Sequence, residues 1–368
     1  MKKQSIIFAI MLILSTFLAA CGAKGEEKPN TAVEPEVEEK EVLQVYTTIF
    51  PLMDFTKKIG GEYVEVKSIV PVGADAHTFE PSPKTMVDVS NAHLYIYNGA
   101  GIEGFADAAA EVLKTGNVKI LMASEGVDLI AFDHDHDDHG HDHDDHGNAD
   151  DDHGHDHDNH GHDHNDHGHD HDGHGDDHDE HGEEDDDQHG HEHQGEGDPH
   201  VWLDPIRSIQ VAENIKNALV ELLPEASEQF ESNFLTLKGQ LEALDLRFKE
   251  MVQEVSNNTM VVSHAGYGYW TERYGIQQVG ISGISPTNEP SIRQIKSVIE
   301  FVEHHNIGYI MFEQNIPTSI AETVRSQVGA EALWLHNLEA LVQEDVNNNE
   351  DYFSLMERNI ETLRTALQ

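Results

Sequence analysis

The stretch Ala226–Val255, ASEQFESNFLTLKGQLEALDLRFKEMVQEV, decides how the chain is organised. Phe230, Phe234, Leu237, Leu241, Leu244, Leu246, Phe248 and Met251 recur at helical spacing, and Gly239 is the only weak helix former among them. At ~1.5 Å per residue the helix runs on the order of 45 Å, long enough to lie along two domains. Similar sequence flanks it on both sides. Upstream, Leu43–Thr47, Val64–Val70, Leu94–Tyr97 and Lys119–Met122 are short β-branched or aromatic runs that read as strands. Helical patterns at Met53–Ile59, Lys84–Ala92 and Gly104–Lys114 separate them, with Ser82-Pro83 as a cap-plus-proline start. A further helix, Ile206–Leu223, follows a long interruption. Downstream, strands at Met260–Ser263, Gln278–Ile281, Tyr309–Phe312 and Ala332–Leu335 alternate with helices at Pro290–His305, Ile320–Gln327 and Tyr352–Leu367. In Pro290–His305, Ile292, Ile295, Ile299 and Val302 share one face. Such alternation argues for parallel βα units. The expected fold is α/β: two parallel-sheet lobes, 42–225 and 256–368, joined by the linking helix 226–255, with a cleft between them.

The interruption is Asp133–His193, which holds 21 of the chain's 28 histidines. From Asp133 to Asp198 there are 28 of the 70 acidic residues and no Lys or Arg. No apolar periodicity runs through it, so the insertion 133–195 builds no core and is expected to be disordered without metal. The formal charge of −48 divides into −28 for this tract and −20 for the rest. No basic patch occurs anywhere, which argues against a nucleic-acid partner. An acidic surface favours cations.

A single cysteine rules out an intrachain disulfide and a cysteine-based zinc site. It lies in Leu18-Ala19-Ala20-Cys21, after the basic Lys2-Lys3 and an apolar core from Ile6 to Leu18. Residues 1–20 read as a secretory signal, too short for a comfortable membrane span. Leu-Ala-Ala-Cys resembles the lipobox of bacterial lipoproteins, which implies cleavage before Cys21 and lipid on its sulfur. Residues 21–41 are Glu/Lys/Pro-rich and read as a tether, reaching roughly 60–70 Å at full extension.

The candidate chemistry lies outside the tract. In Gly197-Asp198-Pro199-His200-Val201-Trp202-Leu203-Asp204-Pro205, the apolar triplet can be buried and Asp204-Pro205 reads as an N-cap followed by proline at the first helical position. His200 is thus the first histidine after the tract with neighbours able to fix it; a surface histidine that merely ends the tract is an equal reading. His77 lies in the loop after a strand, His264 at a strand's C-terminal end, and Glu339 after the last strand. Open α/β sheets bind ligands at those ends. His304 and His305 end a helix, where the dipole favours positive charge, and His93 reads as structural. His336 is a second choice for the site, and Glu339 could equally be a helix-start carboxylate. Spacing alone leaves this set open.

Three motifs occur in order: Gly73-Ala74-Asp75-Ala76-His77-Thr78-Phe79-Glu80-Pro81-Ser82-Pro83, Asp198-Pro199-His200-Val201-Trp202-Leu203-Asp204-Pro205, and Ser263-His264-Ala265-Gly266-Tyr267-Gly268-Tyr269. With the His-rich insertion and the lipobox, they closely resemble the zinc-binding lipoproteins of bacterial ABC importers, the ZnuA/AdcA type. The resemblance implies that His77, His200 and His264 bind zinc, with Glu339 as the fourth ligand and Glu313 or water as the alternatives. Manganese-binding relatives carry a carboxylate in place of the third histidine, so His264 favours zinc. The disulfide that some relatives have in the second lobe cannot form here. The implied function is capture of Zn²⁺ by a membrane-anchored, extracytoplasmic binding protein and its delivery to an ABC permease and ATPase, without catalysis. The rival readings are a zinc buffer or adhesin that works through the tract, and a zinc hydrolase in which three histidines and an open position activate water.

Overall fold

The computed structural model describes residues 42–131 and 197–368. The expected signal, Cys21, the tether and the His/Asp insertion lie outside the described residues. In the first lobe, the alternating LQVYT of β1 (Leu43–Thr47) buries Leu43, Val45 and Thr47. It pairs in parallel with β2 (Val64–Ser68) on one side and β3 (Leu94–Tyr97) on the other, and β3 pairs with β4 (Lys119–Met122). The order is β2-β1-β3-β4. β2 stops at Ser68, whose hydroxyl lies 3.0 Å and 2.8 Å from the carbonyl oxygens of Thr48 and Val70. The helices are α1 (Phe50–Gly60), α2 (Pro83–Ser90), α3 (Ala106–Leu113) and α4 (Arg207–Leu222). Ser82 caps α2 by accepting the Thr85 N–H. Asp204 plays a related part before α4, accepting the N–H groups of Ile206 and Arg207 at 2.8 and 3.3 Å, although the helix begins later than Asp204-Pro205 suggested.

The linking helix is α5 (Ser227–Glu254). Its buried stripe is the expected one except for Leu246, which is 58% exposed. Leu246 follows Leu244 by two residues, about 200° around the helix, and so faces away. The second lobe repeats the first. β5 (Thr259–His264), β6 (Gln277–Ser282), β7 (Tyr309–Glu313) and β8 (Glu331–Leu335) pair in parallel in the order β6-β5-β7-β8. Its helices are α6 (Gly268–Tyr274), α7 (Ile292–His305), α8 (Ser319–Val328), α9 (Gln343–Asn348) and α10 (Tyr352–Ala366). On α7, Ile292 is 75% exposed, and the side that packs on the sheet begins one turn later at Ile295.

One apolar core runs through both lobes. It joins Val45 and Ile96 of the first sheet, Phe230 to Met251 of α5, Val262 and Leu335 of the second sheet, and Leu355 and Leu363 of α10. Smaller clusters cover the outer face of each sheet. At one end of α5, Phe230 meets Tyr63 of the first lobe with ring centroids 5.7 Å apart. At the other, Phe248 stacks on Tyr274 at 4.9 Å. The Phe55 and Tyr352 rings join α1 to α10 at 4.8 Å. Fully burying a phenylalanine such as Phe55, Phe230 or Phe248 contributes about 1.5–3 kcal/mol. The lobes are therefore seated on a common scaffold, with the ends of β5 and β7 and the loops after β2, β4 and β8 meeting between them. Among the described residues, no helix is long and apolar enough to cross a membrane.

Candidate metal centre

Each candidate side chain is fixed by its own local device. The loop after β2 turns at Gly73, whose φ of 84° suits glycine. There Asp75 accepts the His77 N–H at 2.9 Å, and the same carboxylate oxygen lies 3.1 Å from the ring Nδ1. The Asp198-Pro199-His200 triplet repeats the device: Asp198 accepts the His200 N–H at 2.9 Å and lies 2.8 Å from its Nδ1. A single 3-10 turn, Val201–Leu203, follows. It is held on several sides. The Trp202 Nε1–H donates to the Asn337 carbonyl at 2.8 Å, Trp270 to the Leu203 carbonyl at 2.9 Å, and Tyr269 to the Asp198 carbonyl at 2.7 Å. Asn98, from the loop after β3, donates to the Pro199 carbonyl at 2.9 Å.

His264 is the last residue of β5, and Glu313 the last of the neighbouring β7. Glu313 Oε2 lies 2.7 Å from His264 Nδ1. Its Oε1 accepts the Ser263 hydroxyl at 2.6 Å and the His264 N–H at 3.3 Å. Glu339 sits on the loop after β8, where Leu338 adopts a φ of 63°. The Leu338 N–H donates to His336 Nδ1 at 2.9 Å and the Glu339 N–H to Asn337 Oδ1 at 3.2 Å. Two backbone bonds carry this loop across to the first lobe: Phe50 N–H to the Glu339 carbonyl at 2.9 Å, and Gly73 N–H to the Leu341 carbonyl at 2.8 Å.

These devices converge. One potential ligand atom from each of His77, His200, His264 and Glu339 lies within 4.8 Å of the others. His200 Nε2 is 3.4 Å from His264 Nε2 and 3.8 Å from Glu339 Oε1. A tetrahedral cation with bonds of about 2.0–2.1 Å has ligand-to-ligand edges of about 3.3–3.4 Å, so the cluster is close to the size of one zinc coordination sphere. His200 and His264 are fully buried and Glu339 is 1% exposed. Glu339 Oε1 accepts no hydrogen bond, Oε2 has only the approach of His77 Nδ1 at 3.4 Å, and His77 Nε2 has no partner. A bare buried carboxylate is costly unless a cation balances it. Burial works to raise the Glu339 carboxyl, but the imidazoles of His77, His200 and His264 outweigh it and hold the group at about 2. Burial works to depress His77, but Glu339 and then Asp75 push it up to about 10.

The remaining candidates lie elsewhere. Glu313 stands behind His264 rather than in the cluster. His336 accepts from Leu338 and faces Asp345 Oδ2 at 3.0 Å through Nε2. His93 Nδ1 accepts the Gln44 N–H at 2.8 Å. His304 and His305 end α7, with His305 Nδ1 2.9 Å from the Phe301 carbonyl. The sequence reading does not single out Asp75 and Asp198. The repeated Asp-x-His triplet was the available signal for the two aspartates: a short acidic side chain two residues before a histidine can take both its N–H and its ring.

The sequence profile of the zinc-uptake complex component A family (ZnuA, periplasmic) matches residues 45–366. The chain belongs to this family. The ZnuA-family chain is 29% identical over 99% of its length to the zinc-binding lipoprotein AdcA of Streptococcus pneumoniae, and spans 61% of that relative. It is 26% identical to the high-affinity zinc uptake system protein ZnuA of Bacillus subtilis, with 100% of this chain and 98% of that protein covered. The fold superimposes on the Zn(II)-bound ZnuA-like domain of Streptococcus pneumoniae AdcA with a TM-score of 0.63 at 27% identity, covering 89% of this chain and 99% of that domain. It has two parallel α/β lobes joined by a long helix.

Proposed function

We propose that this ZnuA-family protein captures Zn²⁺ outside the cytoplasm and delivers it to an ABC permease and its ATPase. The observation that carries the reading is the buried set of three imidazoles and one carboxylate with metal-facing atoms left unpartnered. His77 and His200, from the lobe spanning 42–225, and His264 and Glu339, from the lobe spanning 256–368, are the proposed ligands. Helix 226–255 links the two lobes. Imidazole-rich tetrahedral sets suit zinc. The carboxylates Asp75, Asp198 and Glu313 each face a ring Nδ1, the outer-shell arrangement that orients histidine toward a metal. That engagement leaves none of them free as a general base, so the reading is of a carrier and not an enzyme. Because the lobes share a core and the Glu339 loop is bonded to Phe50 and Gly73, release proceeds through a small loop movement rather than a wide hinge. Lipid on Cys21 anchors the protein to the membrane.

Cells whose copy carries His264→Ala should stop growing under a zinc chelator and recover with added zinc. Growth equal to that of the parent would contradict the proposal. Radiolabelled fatty acid should be incorporated into the parent protein and not into Cys21→Ala; equal labelling would contradict the anchor.

A further inference from the structure

We infer that Glu103 is a positioning residue for zinc retention: its buried carboxylate pins the loop between β3 and α3, and that loop braces both segments that carry the first-lobe histidines. The inference rests on the zinc-capture reading. Loop 98–105 is a stretch of backbone that has to be held. Gly99, Ala100 and Gly101 follow one another at φ of 82°, 57° and 80°. The left-handed region is unfavourable for alanine, so such a run persists only where its surroundings fix it. Gly99 also presses on the end of β4, where a Cβ would stand 2.6 Å from Met122 Cγ and 2.8 Å from Ser124 Oγ.

The group that holds it is Glu103, itself buried. Its Oε1 accepts the Asn98 N–H at 2.9 Å, which closes the loop on itself, and the Thr48 hydroxyl, which ties the loop to the end of β1. Three supports then reach the metal-bearing segments. Asn98 Nδ2 donates to the Pro199 carbonyl at 2.9 Å, one residue before His200. Phe105 meets Phe79, two residues after His77, edge-on with ring centroids 6.2 Å apart. The Thr48 carbonyl accepts the Val70 N–H at 3.2 Å, where the His77 loop leaves β2. Asp75 and Asp198 fix each ring to its own segment; loop 98–105 fixes the two segments to one another. Among the described residues, Glu103 bonds to none of the four proposed ligands and acts only through the loop. Its removal would leave the Thr48 hydroxyl and the Asn98 N–H buried without an acceptor, so the loop would rearrange and both segments would lose their backing.

Two measurements test this on the full chain. The first loads it with one equivalent of Zn²⁺, which fills the tightest site first, and times release into an excess of a chromophoric chelator. Glu103→Ala should release zinc about tenfold faster or more. Glu103→Gln keeps an acceptor oxygen and should return the rate to nearly that of the parent. Val324→Ala opens a cavity in the outer cluster of the second lobe and should lower stability without speeding release. The second measurement is amide hydrogen exchange of the metal-free protein. Glu103→Ala should speed exchange at His77 and Phe79 and at Asp198 and His200, whereas Asn98→Ala should speed it only at the latter pair. A folded Glu103→Ala with the parent's release rate or the parent's exchange at both segments would overturn the inference. So would equal acceleration in Val324→Ala, which would reduce the effect to general destabilisation. If Glu103→Ala does not fold, Asn98→Ala decides, and parent-like exchange at Asp198 and His200 overturns the inference. Failure of the zinc-capture reading looks different: His264→Ala would then release its zinc as slowly as the parent, while hydrogen exchange would still report the bracing.

Discussion

Two buried histidine–carboxylate clusters flank the loop that carries Glu339, and they use the same residue types to opposite ends. Around His336 the hydrogen-bonding capacity is spent. Nδ1 accepts the Leu338 N–H, Nε2 faces Asp345, and Asn359 takes the His336 N–H and donates to its carbonyl, both at 2.8 Å. Asp345 also receives Arg358 Nη2 and the Val342 N–H. Burial works to raise the Asp345 carboxyl, but His336, the Val342 amide and Arg358 hold it well below the usual range. Around His200 the capacity is left over: His77 Nε2 and Glu339 Oε1 have no hydrogen-bond partner, and Glu339 Oε2 has only His77 Nδ1 at 3.4 Å. Burial and residue type do not separate a structural histidine from a ligand. Unspent donor and acceptor capacity does.

The sharpest break between the two clusters is mutational. His200→Ala or His264→Ala should weaken zinc binding on the order of 10³-fold, a quarter of the binding free energy of a four-ligand site, besides lowering metal-free stability, because each strands the carboxylate behind its ring, Asp198 or Glu313. His336→Ala should spare the zinc site. It strands Asp345 and the Leu338 N–H, costs about 2–4 kcal/mol in urea unfolding, and leaves a zinc site that still forms in what remains folded. Similar losses of zinc affinity in the two kinds of variant would erase the distinction.

A third buried carboxyl tests how far leftover capacity alone can go. Glu103 accepts from the Thr48 hydroxyl and the Asn98 N–H through Oε1, while Oε2 has no partner. Its neighbours are a hydroxyl and an amide rather than imidazoles, and burial pushes it up to about 7. The folded value lies above the unfolded one, so its contribution is full below about pH 4.5 and is lost as pH rises through about 7, on the order of 3 kcal/mol. Urea unfolding of zinc-free protein between pH 5 and 8 should show this decline, and Glu103→Gln should flatten it. A parallel decline in the variant would assign it to other groups.

Glu313→Gln should cost between about 10- and 100-fold in zinc affinity by removing the charge behind His264. An unchanged titration would mean that the 2.7 Å approach to Nδ1 does nothing for the metal. The smallest effect is expected from excising residues 133–195. The Asp198 N–H donates to the Ile130 carbonyl at 2.8 Å, so the described chain on either side of the insertion is already joined. The excised protein should bind fewer zinc ions in total and keep its tight site. Loss of the tight site would make the tract the ligand source.

The fold was legible where periodicity had room to accumulate. The linking helix repeats its stripe over many turns, and the eight strands among the described residues fall on short runs marked by β-branched or aromatic residues. The helices Gly268–Tyr274 and Gln343–Asn348 were not anticipated, because one or two turns carry no measurable period. Leu246 and Ile292 fit the apolar spacing of their helices yet lie exposed, because apolar character alone does not give direction. The candidate site is legible mainly through its motifs, since His77, His200, His264 and Glu339 are too far apart in sequence for spacing to group them. On sequence alone Glu313 is the alternative to Glu339 as a ligand. Its place behind His264 follows from the pairing of β5 with β7, in which Val261 and Val262 lie opposite Ile310 and Met311, and that register is invisible in a linear chain.

One zinc ion is proposed to sit among His77, His200, His264 and Glu339. Crystals of the full chain grown with one equivalent of Zn²⁺, measured above and below the zinc absorption edge, test it most directly. The account predicts a single dominant anomalous peak about 2.0–2.2 Å from three imidazole nitrogens and a Glu339 oxygen. An empty cluster with the zinc signal elsewhere, or a peak bound by Glu313 in place of Glu339, would contradict it.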